Sequence, residues 1–476
     1  MKINIIFPCR DPETSRDMAM AIVMPLAPTL LAALTPREHD VKLVDMLSGD
    51  QVDYDAEVDL VAITVRTPLA TVAYEIADQF LVRGRTVVLG GPHVYALPAE
   101  ARAHASAVAI GEAEQLWPRL LEDIERGTLG DFYVCGPYAV NQLQGKVVHE
   151  RERPGLAGIP MMRRDLLPRK RYMMDSIFTT RGCPNACNFC PVSRLFGGNI
   201  RHRPVDEVVA EVDTLGKRYF NVDDSVFGHP QMTDRPEENQ YYLDLYRELS
   251  RLRPGRVWTG AGGIAAINYP DGRKILELAV ESGLGSIAAG LESISASGQK
   301  DSGAWRKLHY TSPHSFELQK MKENIQTLQS LGIEILGFFI VGWDGDTMET
   351  FQRTLDFCDE CGVVPFILPL TPMPGSNIYD EYLAADRILP GLDWERFGDG
   401  TVVFKHPTMG SQEMEDASEA TMREGYSWGR IWRRTLSTIR QRHSLDVAAG
   451  SFFTQYGMHR SIPKVFGQVR RRSSHE

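Results

Sequence analysis

Short apolar runs alternate with longer amphipathic stretches over the first quarter of the chain. The stretches between the runs carry apolar residues at helical spacing, as in ATVAYEIADQFLV. Because buried strands that alternate with helices form parallel sheets covered on both faces, this pattern predicts an α/β domain over residues 1–130. We expect it to be doubly wound, of the flavodoxin-like or Rossmann-like type. The predicted strands are KINIIF, VKLVDM, DLVAIT, RTVVLG and SAVAIG.

A second series of strand and helix patterns occupies residues 173–390. About six strand-like runs are separated by helical stretches, too few for an eightfold barrel. We therefore predict a partial (β/α)6 barrel of the TIM type, with its chemistry at the C-terminal ends of the strands. Residues 131–172 are irregular and predict a linker, and residues 391–476 predict a mostly helical C-terminal region.

Composition narrows the class of protein. The formal net charge of −10 over 476 residues argues against generic nucleic-acid binding, which requires surplus Lys and Arg. No run approaches the roughly 20 apolar residues that cross a bilayer, and the N-terminal apolar stretch is too short for a signal peptide. We expect a cytoplasmic protein, in which the seven cysteines do not form a disulfide framework.

Three cysteines lie close together in RGCPNACNFCPV, with the spacing C-x3-C-x2-C. Cys183, Cys187 and Cys190 can supply three of the four ligands that a cubane iron–sulfur cluster needs. The remaining iron would be open to chelation by the amino and carboxylate groups of a small molecule. Structural zinc is the alternative, because His202 follows at a distance that permits a fourth ligand.

The cysteine spacing, the aromatic Phe189 before the last cysteine and the position after a strand resemble the signature of radical S-adenosylmethionine (SAM) enzymes. The resemblance implies that Cys183, Cys187 and Cys190 bind a [4Fe-4S] cluster. It also implies that SAM binds the open iron and is cleaved to a 5′-deoxyadenosyl radical, which abstracts hydrogen from unactivated carbon.

Later segments of the barrel extend this resemblance. Gly290, Glu292 and Ser293 lie in GLES, which resembles the family's glycine–Glu segment close to bound SAM. Glu292 can accept hydrogen bonds from both ribose hydroxyls. Gly337 lies in GFFIVGWDG, which resembles the glycine-rich segment beside the adenine.

Paired carboxylates follow the strand-like run YFNV. Asp223 and Asp224 are expected at the same rim as the cysteines. They can orient substrate or SAM, or they can simply cap the following helix. We favour a catalytic role.

Glycines and polar residues also follow the strands of the first domain, at the edge where doubly wound sheets bind ligands. Paired glycines let a backbone approach a ligand closely, although Gly-Gly-Pro is also an ordinary turn. The predicted cofactor-binding residues at this edge are Thr64, Gly90, Gly91, His93, Gly111 and Glu112.

The segments PLAPTLLAALTPREHDVKLVD, VLGGPHVYALPAEA and AIGEAEQLWPRLLED resemble the cobalamin-binding domain that precedes the barrel in many radical SAM enzymes. Typical cobalamin domains carry D-x-H-x-x-G after the first strand, and its His ligates cobalt. Residues 9–18 do not contain this motif, so the resemblance implies cobalamin held without that His. His93 is a weaker prediction for contact with the corrin, and it is not assigned as a cobalt ligand.

Nearly the whole chain, to about residue 430, resembles the cobalamin-domain radical SAM subgroup that includes the hopanoid C-2 methylases. The resemblance implies methyl transfer from methylcobalamin to an unactivated carbon of a small-molecule or lipid-like intermediate. It further implies a monomer served by an electron donor such as flavodoxin or ferredoxin. The alternatives are a non-methylating radical SAM cyclase or rearrangement enzyme, and a metal-binding regulatory module that does not cleave SAM.

Two further features of the sequence are a second pair of cysteines and a basic C-terminal region. Cys358 and Cys361 lie near the C-terminal end of a predicted helix, where thiolates are not favoured, so we interpret them as structural. From Arg430 onward, ten Lys and Arg residues face two acidic residues. A helical cap over the barrel is the favoured interpretation of this region, and contact with an anionic membrane surface is the alternative.

Overall fold

The structure is a computed structural model that describes residues 1–10, 23–228, 236–252, 255–398, 400–442 and 445–473. Most of the segment in which D-x-H-x-x-G is missing, residues 11–18, lies outside the described residues. The last three residues of the basic C-terminus, 474–476, also lie outside them.

The first domain is built on a seven-stranded parallel sheet with the strand order β2-β1-β3-β4-β5-β6-β7. Its first five strands have the flavodoxin-like order, which confirms the predicted doubly wound fold. The strands are β1 (Lys2–Phe7), β2 (Asp40–Asp45), β3 (Leu60–Thr64), β4 (Thr86–Gly90), β5 (Ala107–Ile110), β6 (Phe132–Cys135) and β7 (Val147–Glu150).

Both faces of this sheet are buried, because helices cover each side. Along β3, Leu60 and Ala62 pack into one apolar cluster, whereas Val61 and Ile63 pack into the other. The helices are α1 (Leu26–Leu34), α2 (Ala70–Leu81), α3 (Pro92–Ala96), α4 (Pro98–Arg102) and α5 (Ala113–Glu125).

The segment expected to be a linker contributes two more strands to the first sheet. β6 and β7 extend the sheet to Glu150 before the chain crosses to the barrel. Each of these strands has only four residues, and their length explains why the sequence pattern does not show them.

The second domain contains a six-stranded parallel sheet whose strands are adjacent in chain order. This arrangement confirms the predicted partial barrel. Its strands are β8 (Asp175–Ile177), β11 (Arg218–Asn221), β12 (Val257–Ala261), β13 (Leu284–Glu292), β14 (Glu334–Val341) and β15 (Val364–Pro369). A short antiparallel ribbon of β9 (Thr180–Arg181) and β10 (Arg201–His202) flanks the cysteines.

Helices cover the outside of the barrel sheet and enclose the largest apolar core of the described chain. They alternate with the strands, as a β/α barrel requires. The helices of this domain are α6 (Val192–Phe196), α7 (Val205–Thr214), α8 (Pro236–Ser250), α9 (Gly272–Glu281), α10 (Ala296–Ser302), α11 (Leu318–Ser330), α12 (Met348–Cys361) and α13 (Asn377–Ala384), of which the short α6 and α10 lie beside the cysteines rather than over the core.

Three C-terminal helices close the far edge of the barrel: α14 (Ser411–Gly425), α15 (Trp428–Arg442) and α16 (Leu445–Ser473). The Tyr426 hydroxyl, just after α14, donates to the backbone oxygen of Pro365 in β15 at 2.8 Å. Among the described residues, no helix is both long and apolar enough to cross a membrane.

Candidate active site

The cysteine loop, residues 182–191, begins directly after β9 at the C-terminal edge of the barrel sheet. Gly182 has a φ of 106°, and a Cβ at this position would lie 2.3 Å from the backbone oxygen of Asn199. Only glycine therefore fits here. The backbone N–H of Asn188 donates to the last residue of α10 at 2.9 Å. These contacts fix the loop between the ribbon and the barrel.

The three thiols of the loop lie near one another. Burial raises the pKa of Cys187 to about 12 and that of Cys190 to about 11, and it also raises the pKa of Cys183. The charges of Cys183 and Cys190 further raise the pKa of Cys187, whereas the ammonium group of Lys307 lowers it. The thiols therefore favour the protonated form until a metal displaces their protons.

The donor set suits a cluster better than a single ion. No group of three or more His, Cys, Asp or Glu side chains in the described part of the chain is arranged to hold one metal ion. A cubane spreads its thiolate ligands over different irons. His202, the fourth ligand that zinc would need, packs its ring against Tyr241 and lies 2.8 Å from the Glu238 carboxylate.

A buried ion pair between Glu292 and Lys307 lies beside the thiols. Glu292 has a φ of 61°, in the left-handed region, at a break in the register of β13 and β14. A Cβ at Gly290 would lie 2.4 Å from both charged groups, so glycine is required for the pair to form. Burial lowers the pKa of Lys307, but the charges of Glu292 and the neighbouring cysteines outweigh burial and raise it.

A small polar cavity of about 90 Å³ opens beside this ion pair. Its walls are rich in glycine, and a Cβ at Gly262 would lie 2.8 Å from the ring of Phe227. The cavity therefore exists because its backbone carries few side chains. Its principal lining residues are Asn185, Asp224, Gly228, Gly262, Gly290 and Lys307.

The two predicted catalytic carboxylates have different surroundings. Asp223 is buried, and one of its oxygens accepts from the backbone N–H groups of Thr179 at 2.7 Å and Thr180 at 3.0 Å. Its other oxygen accepts from the Thr179 hydroxyl. These bonds use its carboxylate to fasten the chain between β8 and β9, so the structure places Asp223 in a positioning role.

Asp224 faces open space. Its carboxylate accepts from the backbone N–H of Gly182 at 3.2 Å, and burial raises its pKa to about 6. It lines the small polar cavity and also a second, larger cavity. Of the described residues, it is the one acidic side chain that lines both spaces.

The larger cavity has a volume of about 340 Å³ and lies between the two sheets. Most of its wall is apolar. The first domain contributes five of the predicted cofactor-binding residues: Thr64, Gly90, Gly91, Gly111 and Glu112. The barrel side contributes Phe178, Arg181, Phe196, Val222 and Asp224.

His93 does not line this cavity, contrary to the expectation that it contacts a corrin. Its side chain is fully buried, with Nδ1 at 3.2 Å from the Thr67 hydroxyl and Nε2 at 3.3 Å from Glu100. Its ring makes an edge contact with Trp394, at a centroid distance of 5.0 Å. The second position of α3 points the ring into the domain, and the preceding glycines face the cavity.

Glu100 links this buried histidine to the segment after the barrel, because it also accepts from Trp394 Nε1 at 2.9 Å. Burial raises the pKa of Glu100, but the hydrogen bonds from His93 and Trp394, together with the nearby Tyr74 hydroxyl, outweigh burial and lower the pKa. We expect Glu100→Gln to reduce stability by about 1 kcal/mol at neutral pH. The ionised form provides this stability, so the difference should vanish as the pH falls through the carboxylate's lowered pKa. Thermal midpoints of both proteins from neutral to acidic pH check this, and a difference that persists in acid contradicts it.

Glu112 links the two domains through ion pairs. Its carboxylate is paired with Arg181 at 2.6 Å and with Arg201 at 2.7 Å. The Arg181 guanidinium also packs on the rings of Phe178 and Phe196. Because Arg181 directly precedes the cysteine loop, Glu112 anchors that loop to the first domain while lining the large cavity.

Sequence reasoning did not single out Arg181 or Lys307. Arg181 pairs with Glu112, 69 residues away, and Lys307 pairs with Glu292, 15 residues away, so neither pairing follows a local helix or strand period. The position of Arg181 immediately before Gly182 and the first cysteine is the one available signal. Lys307 lies in an irregular stretch between α10 and α11, where nothing in the sequence marks it.

The remaining predicted SAM-contacting residues differ in position. Phe189 lies beside the ion pair, with its ring centroid 5.9 Å from Lys307 Nζ. Ser293 is buried, and its hydroxyl accepts from the backbone N–H of Ser295 at 3.1 Å, so it shapes the turn before α10. Gly337 faces the helix layer, where a Cβ would lie 2.5 Å from Val363. The structure brings Phe189 to the site but not Ser293 or Gly337.

Cys358 and Cys361 are buried in the apolar core between the barrel and its helices. Burial raises the pKa of both thiols, to about 11 for Cys361. These surroundings suit the structural role expected from the sequence.

Comparisons with known proteins agree with this geometry. Residues 177–358 match the model of the radical SAM superfamily. The chain is 29% identical over 421 residues to bacteriochlorophyllide d C-8(2)-methyltransferase of Chlorobaculum tepidum, covering 87% of each chain. It is 25% identical to hopanoid C-2 methylase of Rhodopseudomonas palustris, covering 78% of this chain and 67% of the relative.

A solved structure supports the fold. The radical SAM methyltransferase TsrM from Kitasatospora setae, with cobalamin and a [4Fe-4S] cluster bound, superposes with a TM-score of 0.63 at 14% identity. The two chains cover each other completely.

The fold and the matched domain define a radical SAM enzyme, for which a [4Fe-4S] cluster and SAM are the cofactors. Residues 177–358 form a radical SAM domain, and the chain is homologous to carbon methyltransferases that carry this domain, which confirms the family predicted from the sequence.

Proposed function

We propose that this enzyme is a cobalamin-dependent radical SAM methyltransferase acting on an unactivated carbon. One observation carries the proposal: Asp224 lines both the large apolar cavity and the small polar cavity. A cofactor in the first space and SAM in the second would therefore lie on either side of a single carboxylate. Two relatives are named for the methylation of bacteriochlorophyllide d and of hopanoids, and these names support the same class of reaction.

The residues present fit the three groups. Cys183, Cys187 and Cys190 would hold the cluster, and the large cavity would receive the corrin between the first sheet and the barrel. When bound, the cluster and SAM supply a 5′-deoxyadenosyl radical that removes a hydrogen atom, and methylcobalamin supplies the methyl group. The chain's own residues exclude water and fix geometry around these groups.

Lys307 and Glu292 are the residues that we assign to SAM itself. The Glu292 carboxylate can accept from ribose hydroxyls, and the Lys307 ammonium can donate to a carboxylate. Lys307 lines the small cavity, and the Glu292 carboxylate lies next to Gly290 in the cavity wall.

Replacing Lys307 by Met should weaken SAM binding by roughly tenfold to 100-fold, the worth of one charge-assisted hydrogen bond. Equilibrium binding of SAM to the reconstituted enzyme measures this. The matched control is Lys300→Met, which removes an exposed lysine from α10 and should leave binding unchanged. Equal affinities for the two variants contradict the assignment of Lys307.

The inner wall of the barrel indicates the class of substrate. On β14 and β15, Phe338 stacks on Phe366 at a centroid distance of 4.5 Å. The next pair towards the C-terminal edge on the same face is Ile340 and Leu368, and Leu368 is 37% exposed. An apolar wall opposite the polar SAM side supports a small-molecule or lipid-like substrate with a large apolar surface.

The mass of the product separates the proposed reaction from its alternative. Anaerobically reconstituted enzyme with cobalamin, SAM and an extract of apolar metabolites should yield a product heavier by one methylene unit, together with 5′-deoxyadenosine. Deoxyadenosine without any gain of mass would favour the cyclase or rearrangement enzyme.

We further propose the working context of the enzyme. The first domain, whose sheet extends to Glu150, binds cobalamin, and residues 173–390 carry the radical chemistry. Residues 151–172 connect the two, and residues 391–476 form the helical C-terminal region. A flavodoxin or ferredoxin reduces the cluster, and the enzyme acts as a cytoplasmic monomer that contacts a membrane peripherally.

A further inference from the structure

A row of large apolar side chains is exposed along the outer face of α15. Trp428, Trp432 and Leu436 recur every four residues, which places them on one side of the helix. They are 45%, 51% and 48% exposed, and Phe453 of the neighbouring α16 is 55% exposed. Side chains of this size are usually buried, and nothing in the described part of the chain covers these four.

The opposite face of α15 packs inward normally. Ile431 is fully buried, and the buried guanidinium of Arg434 donates to Gln455 at 2.7 Å and to the backbone oxygen of Gly425. These contacts fix the rotation of the helix. The outward aromatic row is therefore a consequence of a well-anchored helix.

The exposed face is continuous with a ring cluster on α16. Trp432 lies 5.2 Å from Phe452, and Trp428 lies 5.8 Å from Tyr456, measured between ring centroids. The aromatic rings therefore form one surface across both helices. We call Trp428, Trp432, Leu436 and Phe453 the aromatic face.

Positive charge surrounds the aromatic face. Arg433, Arg440 and Arg460 are exposed. From Arg430 to the end of the sequence there are ten Lys and Arg residues and two acidic residues, in a chain whose net charge is −10. Arg430 is paired with Asp359 and Glu424, and Arg434 is buried, so these two do not add to the exposed charge. The partner of this surface is therefore expected to be anionic as well as apolar.

We propose that the aromatic face docks on a membrane surface that contains anionic lipid. Trp and Phe side chains prefer the boundary between headgroups and acyl chains, and arginines beside them attract anionic headgroups. Two helices lying in the plane of the surface present both features together. A second copy of the chain fits less well, because it would oppose one positive surface to another. This surface is separate from the two cavities.

Vesicle binding of the complete, reconstituted enzyme tests the proposal. We expect sedimentation with vesicles of phosphatidylcholine and phosphatidylglycerol, weaker sedimentation with phosphatidylcholine alone, and release by high salt. Tryptophan emission should shift to shorter wavelength on binding. The triple variant Trp428→Ser, Trp432→Ser, Phe453→Ser should bind at least about tenfold more weakly.

Two further variants make the outcome specific. Leu383→Ser removes an apolar side chain of α13 that is 57% exposed, and it should bind vesicles like the parent. Arg433→Glu with Arg440→Glu should reduce binding to anionic vesicles even if the triple variant folds poorly. All three variants should retain SAM cleavage, which verifies folding.

Several results would overturn the proposal. One is a parent enzyme that does not bind anionic vesicles, and another is a triple variant that binds them as well as the parent does. Self-association of the parent in light scattering, lost in the triple variant without any vesicle binding, would instead identify the face as a contact between copies.

Discussion

Replacement of any one of Cys183, Cys187 and Cys190 by Ala is expected to abolish the iron–sulfur chromophore and to lower 5′-deoxyadenosine formation by at least about 1,000-fold. A cluster held by three thiolates has no spare protein ligand, and SAM cleavage needs an electron from that cluster. Visible absorption and deoxyadenosine assays after anaerobic reconstitution measure both effects.

The matched control for the cysteine variants is Cys361→Ala. This thiol is also buried, but it lies in the core behind the barrel. The variant should lose some stability and keep both cluster and deoxyadenosine formation. Loss of the cluster in Cys361→Ala, or its retention in Cys187→Ala, would refute the three-cysteine assignment.

Filling the large cavity should reduce methyl transfer without stopping the cleavage of SAM to deoxyadenosine. Ala109 on β5 lines this cavity, and a Phe side chain there would occupy space assigned to the corrin. We expect Ala109→Phe to retain less than about a tenth of the cobalamin bound by the parent, because overpacking a fitted site costs about 1–3 kcal/mol. Methylated product should fall in proportion, while deoxyadenosine formation continues.

Cobalamin retained after gel filtration, measured by its absorption, provides the readout for Ala109→Phe. Ala103→Phe is the control, since it adds the same ring to an exposed position of the same domain. If both variants keep cobalamin, the cavity between the sheets is not the corrin site. If Ala109→Phe also loses deoxyadenosine formation, the two cavities do not act separately.

Much of the fold follows from local sequence patterns. Runs such as DLVAIT have the length and apolarity of strands buried on both faces, and the stretches between them have helical periodicity. The topology then follows, because adjacent parallel strands need crossover helices. Strands β6 and β7 escaped prediction because each has only four residues, and they are recognisable as strands only through the pairing of β6 with β5 and of β7 with β6.

The candidate site was predictable where a residue type is required by its place in the chain. Gly182, Gly91 and the three cysteines belong to this group, since close approach or ligation demands their chemistry. The direction in which a side chain points was not predictable from the sequence. The ring of His93 points into its own domain, and the Asp223 carboxylate accepts hydrogen bonds from backbone N–H groups instead of facing the cavity. Lys307 was missed because its pairing with Glu292, 15 residues away, follows no local helix or strand period.

The bridge from Glu112 to Arg181 has a consequence for biogenesis. The chain emerges from the ribosome N-terminus first, and domains generally fold as they emerge. The first sheet is complete at Glu150, so the domain that carries Glu112 can fold before Arg181 and the cysteines leave the ribosome. A truncated barrel beginning near residue 173 would lack Glu112, so Arg181 would lose this partner beside the loop expected to receive iron.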